Sequence, residues 1–184
     1  GLEQVAELSG RADVLLKAQG MTQGSVAERI AAMGADPKYI YPNTDAGKAE
    51  LIGKLNEQMG AMQARLPNAF GRLPKAGAEI KRVPPAIEQG APMGYYNGPS
   101  LDGSRPGIYW INLKDTADWP SWTLPTLTYH EASPGHHLQI ALQQESPSAP
   151  KLMNLFFFSA YGEGWGLYAE QLADELGAYQ DEPA

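Results

Sequence analysis

The chain has 184 residues, 43% of them hydrophobic, which is enough for one domain with a real core and too little for a second independent one. A formal net charge of −7 argues against nucleic acid as a partner, because that binding depends on basic patches that neutralise phosphates. Zero cysteines exclude disulfides and thiolate metal ligands, and no stretch approaches the roughly 18 apolar residues of a membrane span.

In chain order, residues 2–18 form an amphipathic helix candidate with Val5, Leu8, Val14, Leu15 and Leu16 as its apolar residues. GSVAERIAAM, residues 24–33, reads as a second short helix closed by Gly34, and DPKYIYPNT as a loop. Thr44 can cap a third helix, DAGKAELIGKLNEQMGAMQARL, whose Leu51, Leu55, Met59, Met62 and Leu66 share one stripe. That stripe, methionines included, reads as core packing and not as a cofactor site. Residues 67–106 turn to Pro and Gly punctuation around short extended pieces such as AEIKRVP at 78–84. GIYWINL at 107–113 is the clearest strand, expected as an edge strand beside the functional site, with Tyr109 and Asn112 as substrate-binding candidates. Pro125 suits the first turn of the next helix and Thr123 its cap, while Trp119 and Trp122 read as packing residues. Phe156–Phe158 begin a stretch expected to be a buried helix, with core duty also assigned to Tyr161 and Tyr168.

All three histidines lie in HEASPGHH, residues 130–137. In HExxH sites, two histidines one helical turn apart ligate zinc and the glutamate between them acts as general base. His130 and Glu131 fit the first half, but His136 and His137 stand six and seven residues on. A regular helix, at about 100° and 1.5 Å per residue, would put His136 on nearly the opposite face and His137 roughly 10 Å along. Pro134 has no N–H and clashes with the carbonyl four residues back, so the helix should kink or bulge, with Gly135 adding freedom for one of the later histidines to swing towards His130. His136 is preferred over His137 because it follows the glycine.

A catalytic zinc takes three protein ligands and a water. The third candidate is Glu163 in GEGWGLYAEQLADEL, residues 162–176, which reads as a helix with Glu163 and Glu170 seven apart on one face. Glu163 is the candidate ligand and Glu170 the candidate partner that orients a ligating histidine.

HEASPGHHLQ at 130–139 and EGWGLYAE at 163–170 resemble the hallmarks of the bacterial DUF885 proteins, HExxPGHHxQ followed by ExWxxYxE. The resemblance continues upstream through residues 83–113 and 17–44, covering nearly the whole chain. It implies a mainly α fold with a small antiparallel β element, gluzincin-like, with His130, a second histidine and Glu163 on Zn2+ and Glu131 as base. Members of the family look longer, so the chain reads as a fragment of one. The domain plan is a single unit over 1–184: helical scaffold to 66, Pro/Gly-rich segment with the strand to 113, metal-site helices beyond.

The functional expectation is a zinc-dependent metallopeptidase acting on a peptide or small amide, with no membrane span and a periplasmic or secreted setting favoured over the cytoplasm. Zinc would activate a water, Glu131 would take its proton and pass it to the leaving amine, and Tyr95, Tyr96 or Tyr109 would be a further donor to the oxyanion. Two alternatives stand beside it. One is an inactive peptide-binding or scaffold domain with a degenerate metal site; the other is an amidase or esterase acting on something other than peptide.

Overall fold

The computed structural model describes residues 1–180. Three helices open the chain: α1 (Leu2–Ala18), α2 (Val26–Gly34) and α3 (Asp45–Arg65). Local chemistry starts the latter two. Ser25 Oγ accepts from the Glu28 amide at 3.2 Å while the Glu28 carboxylate accepts from the Ser25 amide at 2.7 Å, a reciprocal capping box. Thr44 Oγ1 accepts from the Gly47 amide at 3.1 Å, as its position before the apolar stripe predicts.

The α3 stripe is the spine of the interior. Leu51, Leu55 and Met59 enter one apolar cluster with Ile80, Tyr109, Ile111, Leu113, Trp119 and Leu124. Met62 and Leu66, further along the same face, enter a second cluster with Tyr129, Leu138, Ala173 and Ala178. One helix thus backs both the sheet and the helices that carry HEASPGHH. Trp119 is buried, its Nε1–H donating to the Asn112 carbonyl at 2.7 Å, as a packing residue should.

The β element is mixed. Strands β1 (Ala78–Arg82), β2 (Gly94–Asn97) and β3 (Gly107–Ile111) lie in the order β1–β3–β2. β3 runs parallel to β1 and antiparallel to β2. This corrects two expectations: the sheet is not purely antiparallel, and β3 is its central strand, not an edge. The burial of Gly107, Ile108, Tyr109 and Ile111 agrees with that place, because a strand covered on both faces reads as a continuous apolar run without alternation. The edges are β1 and β2, and β2, four residues from Gly94 to Asn97, lies in the crossover from β1 to β3.

Two apolar segments face outward. On α1 only Leu16 is buried; Leu2, Val5, Leu8, Val14 and Leu15 are exposed. The helix is held to α2 through Asp13, which receives the Arg29 guanidinium; Arg29 also donates to the Met21 carbonyl at 3.0 Å. Phe156–Phe158 are likewise exposed and precede the helix they were expected to begin, as are Tyr161 and Tyr168. No helix of the described residues is long and apolar enough to cross a membrane.

Leu55, fully buried, and Leu8, exposed, therefore predict opposite outcomes in urea denaturation of the respective alanine variants. Leu55→Ala should cost about 2–5 kcal/mol. Leu8→Ala should stay within about 0.5 kcal/mol of the parent.

Candidate metal centre

HEASPGHH folds as two helices and a turn. Helix α4 (Leu124–Glu131) ends after Glu131, and α5 (His136–Gln144) begins at His136. Pro125 stands in the first turn of α4; Thr123 occupies the cap position, but its hydroxyl donates to the Pro120 carbonyl at 2.7 Å and caps no helix amide. At the break, Pro134 follows a cis peptide and has no N–H to continue α4. Gly135 then packs directly under the last turn of α4: a Cβ there would lie 1.7 Å from the His130 carbonyl oxygen, so no other residue fits. Trp165 clamps the turn from the neighbouring helix, its Nε1–H donating to the carbonyls of Pro134 at 2.9 Å and Gly135 at 3.2 Å. The outcome is a full break where a kink or bulge was expected, and it turns the His136 ring edge-to-face against that of His130, centroids 4.8 Å apart.

Helix α6 (Ser159–Glu175) supplies the carboxylates. His130 donates from Nδ1 to Glu170 Oε1 at 2.8 Å, which leaves Nε2 as the lone-pair nitrogen of the neutral ring. That nitrogen lies 3.3 Å from Glu163 Oε2, and His136 Nε2 lies 3.9 Å from the same oxygen. One ligand atom from each of His130, His136 and Glu163 falls within 4.8 Å of the others, so the three can hold a metal ion. Gly166 makes this possible, since a Cβ at that position would sit 2.5 Å from the His130 ring.

The electrostatics differ from residue to residue. His130 has its pKa raised, first by the Glu170 hydrogen bond and against the effect of burial, with Glu131 and Glu163 adding to the rise. Burial pushes His136 the other way, with His130 adding to the fall and Glu163 and the neighbouring Gln139 opposing it. Glu131, half-buried, is pushed up to about 7 by desolvation, with His130 opposing and Glu163 assisting. Glu131, His136 and Glu163 line one cleft of about 420 Å³ together with Tyr95 and Tyr96 of β2, Ile140 and Phe157.

The remaining candidates lie elsewhere. His137 is outside the triad: it is buried, its Nδ1 accepts from the Tyr96 hydroxyl at 2.8 Å and its Nε2 donates to the Ala76 carbonyl at 3.1 Å, so neither nitrogen is free to ligate. Asn112 is occupied by structure, its side-chain amide donating to the Glu88 and Ala91 carbonyls at 2.8 and 3.2 Å. Tyr109 is buried beneath the cleft with an unpartnered hydroxyl, its pKa raised first by burial and then by Glu131. Sequence reasoning missed β2 as the strand of the cleft and Phe157 as part of its wall. The pair of tyrosines between Gly94 and Gly98 was the available signal for the first; nothing local marks the second.

The family model described as bacterial protein of unknown function (DUF885) matches residues 1–184. The chain belongs to the DUF885 family. Among solved structures, the crystal structure of a candidate lipoprotein from Colwellia psychrerythraea superposes with a TM-score of 0.94 at 44% identity over 99% of this chain. That match covers 31% of the Colwellia protein, so the DUF885 chain described here spans about a third of that relative's length. No curated protein matches the chain.

Two substitutions on α6 test the geometry. Alanine at Gly164, where a Cβ meets nothing within 4 Å, should stabilise by up to about 1 kcal/mol through helix propensity. Gly166→Ala, although only two residues on, should destabilise or displace His130, read by urea denaturation and by the His130 imidazole signals in NMR. Glu170→Gln should weaken metal affinity by about 10–100-fold in a competitive chelator titration, because the side chain that orients His130 loses its charge.

Proposed function

We propose that this chain carries the zinc centre of a hydrolase of the metallopeptidase type, gluzincin-like in its ligand set, acting on a peptide or small amide. The observation that carries the reading is the convergence of His130, His136 and Glu163 within 4.8 Å, with Glu131 lining the same cleft. Two imidazoles and one carboxylate form a donor set that suits zinc, and a three-ligand site leaves a position for water or substrate, as catalytic zinc sites do and structural ones do not. When bound, zinc would supply Lewis acidity, polarising a carbonyl and acidifying a water.

The protein's own groups would do the rest. Glu170 holds the His130 ring in the tautomer that leaves Nε2 available. Glu131 would accept the proton of the attacking water and deliver it to the leaving amine, so that the new C–O bond and the broken C–N bond are balanced by one transferred proton. Tyr96 lines the cleft with its one hydroxyl proton given to His137, so it would donate to the developing oxyanion only by exchanging that hydrogen bond. The edge strand β2 borders the same cleft and offers backbone groups to an extended substrate. The description of the Colwellia relative as a candidate lipoprotein supports a setting outside the cytoplasm.

Metal content and turnover separate this reading from a non-catalytic binding domain. Plasma mass spectrometry should find about one zinc per chain, lost in His130→Ala and in Glu163→Ala. Glu131→Gln should keep the zinc and lower peptide hydrolysis by about 10²–10⁴-fold. Retained metal with no hydrolysis of peptides, amides or esters by the parent chain would make it a binding domain.

A further inference from the structure

A second cavity adjoins the metal cleft. It lies between α5, the segment ahead of α6 and the first turn of α6, with a volume of about 220 Å³. Ile140 and Phe157 belong to both spaces and form the partition between them. The Phe157 ring stands edge-to-face with His136, centroids 6.0 Å apart, so the partition touches a residue of the triad. Gly162 lets it stand there, because a Cβ at that position would lie 2.1 Å from the Phe157 ring.

The lining is apolar and aromatic through Met153, Phe156, Phe158 and Tyr161, with neutral amides from α5 and, among the described residues, no charged side chain. Gln143 donates to the Met153 carbonyl at 2.9 Å and to Asn154 Oδ1 at 3.2 Å, tying the outer wall to α5. A volume of about 220 Å³ is below the roughly 300–1,000 Å³ of pockets that enclose a whole drug-sized ligand. One large side chain is the matching occupant.

We propose that this cavity is a specificity pocket of the metal site and takes an aromatic or large aliphatic side chain of the substrate, making the substrate class peptides with such a residue next to the bond that reacts. The inference rests on the hydrolase reading for its reaction but not for its binding. Continuity with the metal cleft through Phe157 and Ile140 names the occupant: a chain whose reactive carbonyl lies at the triad can send a neighbouring side chain past that partition. The described lining residues offer no charged partner, which disfavours Asp, Glu, Lys or Arg there, since a charge would be desolvated alone.

Binding is tested first on the metal-free chain, with methyl-labelled methionine and two probes, N-acetyl-phenylalaninamide and N-acetyl-alaninamide. The phenylalanine probe should shift the Met153 methyl signal saturably and the alanine probe should not; Phe156→Ala, which removes an exposed wall residue, should weaken the effect. Turnover is then compared on the zinc-loaded chain for quenched peptides in which one phenylalanine is moved along an alanine background. The best placed phenylalanine should raise kcat/KM by at least about tenfold, and Phe156→Ala should bring that ratio towards one at unchanged zinc content. No Met153 shift with either probe, or a ratio untouched by Phe156→Ala, overturns the pocket. A Met153 shift specific to phenylalanine without cleavage of any peptide leaves the pocket standing and removes the hydrolase reading.

Discussion

The centre depends on one steric fact: the turn after Glu131 must pass directly beneath the carbonyl of His130. Only a residue without a side chain can occupy Gly135, where a Cβ would come within 1.7 Å of that oxygen. With the turn so compressed, the second helix starts back towards the first, and a histidine that regular spacing would put on the far side faces His130. The six-residue separation between the two is then no obstacle to a shared metal. It is the length of chain this turn consumes.

A second close approach completes the arrangement from the other side. Gly166 brings the backbone of α6 against the His130 ring, and at that distance Glu163 and Glu170, two turns apart, reach its two nitrogens. The ring is therefore held between carboxylates of one helix, one orienting and one facing the triad. Behind them, α3 backs both halves of the interior, so the sheet that carries Tyr96 and the helices that carry the triad share one rigid support.

Much of this was legible in the residues because it is local or periodic. The α3 stripe, the interruption at Pro134 and the pairing of Glu163 with Glu170 follow from helical spacing and from the chemistry of proline, and the structure has each of them. What was not legible depends on neighbours. An apolar run such as GIYWI reads equally as an edge or a central strand until its partners are known, and the parallel pairing with β1 comes from a crossover that no local pattern announces. The sequence favours His136 by its place after Gly135, but what keeps His137 apart from the triad, the Tyr96 hydroxyl and the Ala76 carbonyl, lies 41 and 61 residues away in sequence. The outward apolar residues of α1 and Phe156–Phe158 carry a core-like composition without core-like burial, a difference that no window of sequence contains.

The glycines of α6 have a consequence beyond fit. Gly162, Gly164 and Gly166 fall in its first turns, and each lowers intrinsic helix stability by about 1 kcal/mol relative to alanine. This end of the helix persists through tertiary contacts and not through its own propensity, so its cooperative unit is the layer it packs on. Glu163 rides on that segment, while Glu170 lies beyond it on a run of stronger helix formers. Local opening there would release the outermost member of the triad while His130 stayed oriented, giving ions a path in and out that does not pass through global unfolding.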